Sequence, residues 1–462
     1  MTPLEEPVDL SLVGHVLSPS VDLPHGEIQV RGGKISALHE RPAANGFRRR
    51  IDVGDAHLLP GLVDAHVHAL SHPGEGIAAA TRSAAAGGVT TIVDMPFDAA
   101  GPISSVERFE QKRAAVEREA FIDVALMATV RPGSEADGTI SALADHGACG
   151  FKVSTFETDP RRFPRLVDPQ LVDAFSAIAA TGRPVAVHAE NNDLIKRNLA
   201  LLHPAGETDP LAHCRARPWY AETSAVAAVI ELARATDVKV HFCHLSLPRS
   251  IDMASAARRE GMSVSVETCP HYLVFSEDEM AVQKGRLKMN PPLRRRDDVA
   301  GLWARLAGEI DLIASDHAPW PLEDKTRQNI FDNHSGLPGT ETMFGVVADA
   351  MDGHAALDLT TLVRLMSSRP AQLYGLDHRK GDLQPGMDAD IIVYTQQPQR
   401  IDEGRLHSNA GWSPYHDRCL RGSVTHTISR GELVWSDGTL HGTAGRGTWL
   451  RAFPERGTSD GS

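Results

Sequence analysis

Eight short apolar runs recur through the middle of this 462-residue chain, at 61–68, 89–95, 122–129, 149–154, 184–188, 238–244, 263–268 and 311–315. Between them lie alanine-rich stretches with helical apolar periodicity, among them 76–86, 104–118, 169–180, 222–236 and 247–260. Strand-like runs alternating with helix-length amphipathic segments are the pattern of βα units around a parallel sheet. Eight such units close a barrel. The expected fold class is therefore α/β, a distorted (β/α)8 TIM barrel.

The residues that end these runs narrow the expectation. The first closes with His66-Val67-His68, and on an extended strand residues i and i+2 share a face, so both imidazoles can aim at one point. Such a pair says little alone. Later runs, however, end in Lys152, His188, His244 and Asp316. On the strand count these six residues cap strands 1, 4, 5, 6 and 8, at the mouth where barrel enzymes carry their chemistry. A shared rim of imidazoles, an amine and a carboxylate predicts a metal site. His241 reads differently: three residues before His244, it should occupy the opposite strand face, packed between barrel and helices. His317 should point away from Asp316, with at most a supporting contact, and neither His271 nor Tyr272 is expected to bind metal.

Composition excludes other classes of function. Lys and Arg number 47 against 60 Asp and Glu, a formal net charge of −13, whereas nucleic acid or an anionic membrane surface requires clustered cations. Five dispersed cysteines without a Cys-x-x-Cys pair point away from disulfides and structural zinc fingers and toward a reducing cytosol. The acidic start Met1-Thr2-Pro3-Leu4-Glu5-Glu6 lacks the features of a signal peptide, and no apolar run has the length of a bilayer span. A cytoplasmic location is expected.

Both flanks of the barrel read as β structure. Residues 1–59 contain short strands broken by glycine turns, and 379–450 contain a comparable pattern around Val424–Val434 after a helical stretch at 359–376. The expected layout is one small β-sandwich domain built from 1–59 and 379–450, a barrel over 60–378, and a flexible tail at 451–462.

Taken in order, several motifs resemble the amidohydrolase superfamily over nearly the whole chain. They are Gly32-Gly33-Lys34-Ile35, Pro60-Gly61-Leu62-Val63-Asp64-Ala65-His66-Val67-His68, Gly150-Phe151-Lys152, Val187-His188-Ala189-Glu190-Asn191, Cys243-His244-Leu245-Ser246, Cys269-Pro270-His271-Tyr272, Ser315-Asp316-His317-Ala318-Pro319 and Pro385-Gly386-Met387-Asp388-Ala389-Asp390. Within the superfamily they are similar to the cyclic amidases: allantoinases, hydantoinases or dihydropyrimidinases, and dihydroorotases. The resemblance implies two divalent metals, zinc being expected and manganese, iron or cobalt also suiting the ligand types. His66, His68 and Asp316 would bind one metal, and His188 and His244 the second. Lys152 would bridge them after reaction with carbon dioxide to an anionic carbamate. A water shared by the metals would supply hydroxide to attack a cyclic amide, and Asp316 would carry the proton to the leaving nitrogen. No nucleic acid or membrane partner is implied, and a homodimer or homotetramer is.

Substrate markers separate the relatives. Dihydroorotases place a carboxylate-gripping arginine and asparagine where this chain has Leu70 and Phe97, although Lys288-Met289-Asn290-Pro291-Pro292-Leu293-Arg294 resembles theirs. Hydantoinases carry an oxyanion-stabilising tyrosine five residues after the lysine, where Glu157 stands. Arg217-Pro218, Val266–Tyr272 and Ser413-Pro414-Tyr415 resemble allantoinases most. An allantoinase-like opening of a cyclic ureide is expected, with a hydantoinase, dihydroorotase, or other imide or lactam hydrolase as the alternative. Phe97, Asn290, Pro338 and Gly339 are the expected substrate contacts, in a pocket that Leu70, Phe97 and Trp320 make less charged than that of dihydroorotases. A non-enzymatic scaffold relative is disfavoured by the intact set of six.

Overall fold

The computed structural model of the chain describes residues 7–134, 138–354 and 356–453. Leu62–Val67, Val89–Asp94 and Asp123–Leu126 form one parallel sheet, and Ala128–Thr129, Phe151–Ser154, Val185–His188, Val240–Phe242, Val264–Thr268 and Leu312–Ile313 form a second. Backbone bonds close the two into a ring. At one seam Met127 N donates to Asp94 O (3.1 Å) while Ala128 N turns to Gly150 O (3.0 Å). At the other, His68 N donates to His317 O (2.8 Å) and His317 N to His66 O (3.3 Å). The third run thus spans both sheets, and the eight-unit barrel expected from the sequence is what the chain forms.

Alternation along the strands sorts their side chains. Val63, Ala65, Val93, Ala125, Ala186, Leu312 and Ala314 fill the interior, while Leu62, Ile92, Val124, Val187, Phe242 and Val266 meet the surrounding helices. Small and branched residues suit that narrow interior. Tyr374, Leu376, Leu450 and Ala452 join the interior cluster where Leu450 N bonds Val124 O (2.8 Å), closing the end opposite the strand C-termini. Part of the expected flexible tail is therefore fixed: Ala452 is fully buried and Phe453 N donates to Gly375 O (2.9 Å). The remainder of that tail, 454–462, lies outside the described residues.

Both chain ends build one mixed sheet. Phe47–Pro60 runs parallel to Val8–Ser18 on one side and antiparallel to Ile391–Thr395 on the other, and Ser423–Ser429 and Glu432–Ser436 extend the sheet. Gly32 and Gly33, with φ of 58° and 76°, make the two-residue hairpin turn between Val21–Arg31 and Lys34–His39, since paired positive φ values are the requirement of a type I′ turn. Leu12, Ile28, Leu58, Ile391 and Ile428 share this domain's core. Pro60 passes directly into the first barrel strand, and Gly61 N bonds Asp390 O (2.8 Å), so this sheet anchors the strand that carries His66.

Candidate active site

All six rim residues of the sequence reading meet at the barrel mouth, three of them because strand alternation fails where it is needed. Val63 and Ala65 face the interior, which by strict alternation would turn His66 outward; a register irregularity between Asp64 and Val67 turns its ring inward beside His68, with centroids 5.2 Å apart. His244 and Asp316 end their strands with φ of 38° and 47°. Few non-glycine residues adopt that left-handed region, and where they do the surrounding structure holds them. The turn at His244 also corrects the reading of His241. Instead of packing between barrel and helices, His241 lies inside the barrel, its Nδ1 2.9 Å from Ser265 Oγ and its Nε2 3.3 Å from Glu267 Oε2.

The polar contacts form two linked groups. His66 Nε2 and His68 Nε2 lie 3.4 and 3.5 Å from Asp316 Oδ1. His188 Nδ1 lies 3.1 Å from His244 Nε2, and Lys152 Nζ 3.4 Å from His66 Nε2. Behind them stand carboxylates that fix the rings. Glu267 Oε1 contacts His66 Nδ1 at 2.8 Å and accepts from His244 N at 2.9 Å. Glu190 Oε2 contacts His188 Nε2 at 2.8 Å and pairs with the Arg217 guanidinium. Such partners orient an imidazole and set its tautomer.

Electrostatics favour lone pairs over protons. Burial, followed by Lys152, lowers the His66 pKa, and burial with His188 and Lys152 holds His244 far below the usual imidazole range. Burial alone would raise the carboxyls, but His66 and His68 keep Asp316 below its ordinary value, and Arg217 with His188 brings Glu190 to about 2. His66 and His241 push Glu267 the same way. Neutral imidazoles and ionised carboxylates are the forms that bind metals.

The donor set fits divalent cations. His66, His68 and Asp316 place ligand atoms within 4.8 Å of one another. The buried Nδ1 atoms of His68 and His244 have no hydrogen-bond partner. Glu267 and Glu190 hold the other nitrogens of the His66 and His188 rings, which leaves His66 Nε2 and His188 Nδ1 facing Asp316, His244 and Lys152 across the cluster. Buried lone pairs brought together in this way are costly unless something binds them, and a cation would. His66, Cys243 and Glu267 also come together, but burial pushes the Cys243 thiol up to about 12, and a metal binds thiolate.

A cavity of about 390 Å³ opens over this cluster. Phe97 and Asn290 line it; of the loop 336–339 whose backbone was expected to meet the substrate, Gly336 lines it, preceded by Ser335, while Pro338 and Gly339 do not. The reason is local: Leu337 pairs with His317 as a strand bridge, and Gly339 N turns inward to His317 Nδ1 at 3.1 Å. His317 thus supports the loop from outside the cluster. Trp320 lines the cavity, whereas Leu70 packs against the core outside the barrel strands. Phe156, Glu157, Arg162, Phe163 and Arg217 also line it, so charged side chains stand beside the aromatic ones. Sequence reading missed Glu267, Glu190, Arg162 and Arg217 as site residues. A lone acid inside the β-rich run 263–268 was the available signal for Glu267; loop residues such as Arg162 carried none.

A closed parallel barrel with histidines, lysine and aspartate at its C-terminal mouth defines a class, and the chain belongs to it: residues 57–434 match the amidohydrolase family. More particularly, the chain is similar to the allantoinase of Rubrobacter xylanophilus, 34% identical over 93% of this chain and 95% of the relative. It is similar also to that of Deinococcus radiodurans, 32% identical over 96% of this chain and 99% of that one. Among solved structures it resembles the L-hydantoinase (dihydropyrimidinase) from Arthrobacter aurescens, with a TM-score of 0.93, 28% identity, and coverage of 96% of this chain and 100% of that chain.

Proposed function

We propose that this cyclic amidohydrolase opens a five-membered cyclic ureide, allantoin to allantoate. The observation that carries the reading is the convergence of His66, His68, Lys152, His188, His244 and Asp316 beneath a cavity of about 390 Å³, in a chain whose allantoinase relatives match it nearly end to end. His66, His68 and Asp316 would hold one divalent ion, zinc by ligand type, and His188 and His244 a second; Lys152, once converted to its carbamate, would serve as a further anionic ligand. When bound, the ions acidify a water and polarise the scissile carbonyl.

The chain's own residues do the rest. Glu267 and Glu190 keep the His66 and His188 rings in place, since a ring free to rotate would lose the geometry. Asp316, kept ionised by His66 and His68, accepts the proton from the attacking water. As the carbon–oxygen bond forms and the ring carbon–nitrogen bond breaks, Asp316 returns that proton to the departing nitrogen. Asn290, which accepts from Ser335 Oγ at 3.2 Å, meets the amide edge of the ring together with the backbone at Gly336.

The test is ring opening by metal-loaded protein on allantoin, hydantoin, dihydrouracil, dihydroorotate and succinimide. Preference for allantoin, with Asp316→Asn lowering kcat by roughly a hundredfold or more, is the expected result. Turnover of another ring alone would move the protein to a sister specificity, hydantoinase first. No turnover of any ring, with Asp316→Asn silent, would favour a scaffold role. The proposal includes a cytoplasmic homodimer or homotetramer, which light scattering of the purified protein checks; among the described residues no helix is long and apolar enough to cross a membrane.

A further inference from the structure

Arg162 is placed with care that the metal chemistry does not require. It follows the strand Phe151–Ser154 on a turn locked by Asp159, whose Oδ1 accepts from Arg161 N (2.8 Å) and Arg162 N (3.0 Å) and whose carbonyl accepts from Phe163 N (2.8 Å). From there the guanidinium reaches two neighbouring loops. Nη2 donates to Ser71 O at 2.6 Å and Nε to Asp98 O at 3.2 Å, while Cζ stands 4.2 Å over the Phe97 ring. Those loops follow the first and second barrel strands, so Arg162 stands at the rim of the cavity it lines. Among the described residues Nη1 makes no hydrogen bond and no carboxylate forms an ion pair with the group.

The second cation of the cavity behaves differently. Arg217 is paired with Glu190 and stacks 4.3 Å over Phe156, so its charge is answered by protein. Arg162 keeps two N–H groups for a ligand, in a fork that Phe97 and two carbonyls hold still. Lysine could not offer that planar, pre-ordered donor. Glu157, whose Oε1 lies 3.4 Å from the exposed Lys196 Nζ and whose Oε2 makes no ion pair among the described residues, and Asp159 line the same cavity, so an anionic group entering beside Arg162 would meet carboxylates too. A neutral group with both an oxygen acceptor and N–H donors suits this pair of charges better.

We propose that Arg162 is a specificity-determining residue that donates through Nη1 to the carbonyl oxygen of a ureido substituent on the substrate ring, with Glu157 accepting from that substituent's N–H groups. The inference rests on the cyclic-ureide reading and extends it, naming the residue that selects the ring's substituent rather than the ring. Arg162 is a binding group here, remote from the bond that breaks.

Three hydantoins separate the outcomes because their 5-substituents share one branched shape: ureido (allantoin), isobutyl, and the carboxylate of hydantoin-5-acetate. With full-length, metal-loaded enzyme, kcat/KM for the ureido compound exceeds that for isobutyl by about tenfold or more, because the isobutyl group leaves Arg162 desolvated and unpaired. Arg162→Met, which keeps the stem over Phe97, lowers that ratio by about tenfold, mainly through KM for allantoin, and Arg162→Lys recovers part of it. Equal use of ureido and isobutyl compounds by the wild-type enzyme would overturn the inference while leaving the ureide reading intact. So would an Arg162→Met ratio within about twofold of wild type, or a wild-type preference for the acetate. Should Arg162→Met fail to fold, the wild-type ratios alone decide. Failure to open any of the three rings would instead defeat the ureide reading, and this inference with it.

Discussion

Glu267 touches two rings and one backbone amide of the cluster, His66, His241 and His244, so its loss would free several groups at once. Glu267→Gln keeps the shape but replaces one acceptor oxygen by a donor. Metal affinity is expected to fall roughly 10- to 100-fold, read by chelator competition with metal analysis, while the fold is retained by circular dichroism. Lys152→Ala removes the group proposed to bridge the metals; bound metal and ring opening should both be lost, and short carboxylic acids should restore part of each by supplying an anionic bridge. Full metal content in Lys152→Ala would sink the two-metal assignment. The sequence displayed the six converging residues because strand ends are readable from apolar runs. It did not display the bulge at His66 or the left-handed turns at His244 and Asp316, since local backbone departures depend on contacts from distant strands. His241 was misplaced for that reason.

The loop from Lys325 to Gly336 covers one side of the cavity and is pinned by buried amines. Lys288 Nζ donates to the carbonyls of Phe331 and Asn333, and Lys325 Nζ to those of Lys288 and His334, both at 2.7 Å. Burial, then Arg217, brings the Lys288 pKa down to about 7, below its value in the unfolded chain. The unfolded state therefore binds the extra proton. Stability contributed here is complete at high pH and is lost as the pH falls toward about 7. Denaturant unfolding of the wild-type chain should strengthen between roughly pH 7 and 10, and Lys288→Met should flatten that slope; an unchanged slope would refute the assignment. Elements like this loop escaped the sequence reading. The strands and several helices were legible to within a few residues, Gly76–Ala86 at both ends, because their periodicity is local. Asn192–Leu202, Arg296–Trp303 and Met343–Ala350 were not foreseen, as their apolar faces follow the shape of the barrel rather than a strong sequence pattern.

Barrel and β domain are joined through Lys380, whose Nζ lies 2.7 Å from Asp123 Oδ2 on a barrel strand, 2.7 Å from Asp390 Oδ2 and 2.9 Å from Asp388 Oδ2. Burial would lower its pKa, but the three carboxylates raise it. Its contribution is therefore complete below the ordinary lysine range and lost only as the pH rises through that elevated value. Lys380→Met should destabilise the protein by about 3–5 kcal/mol, since it strands buried carboxylates, and an unchanged melting temperature would refute this. The sequence reading foresaw the partnership of the two chain ends from their shared β character, but not the clasp, because Lys380 and Asp123 are far apart in the chain. The order of the large sheet has an implication for biosynthesis. Phe47–Pro60 leaves the ribosome early, yet its neighbour Ile391–Thr395 is translated only after the entire barrel. Until then one side of Phe47–Pro60 is an unpaired edge, the kind of template on which nascent chains associate wrongly. The N-terminal strands must wait, shielded or paired only with one another, and a circular permutant that places 379–450 ahead of residue 8 would shorten that wait.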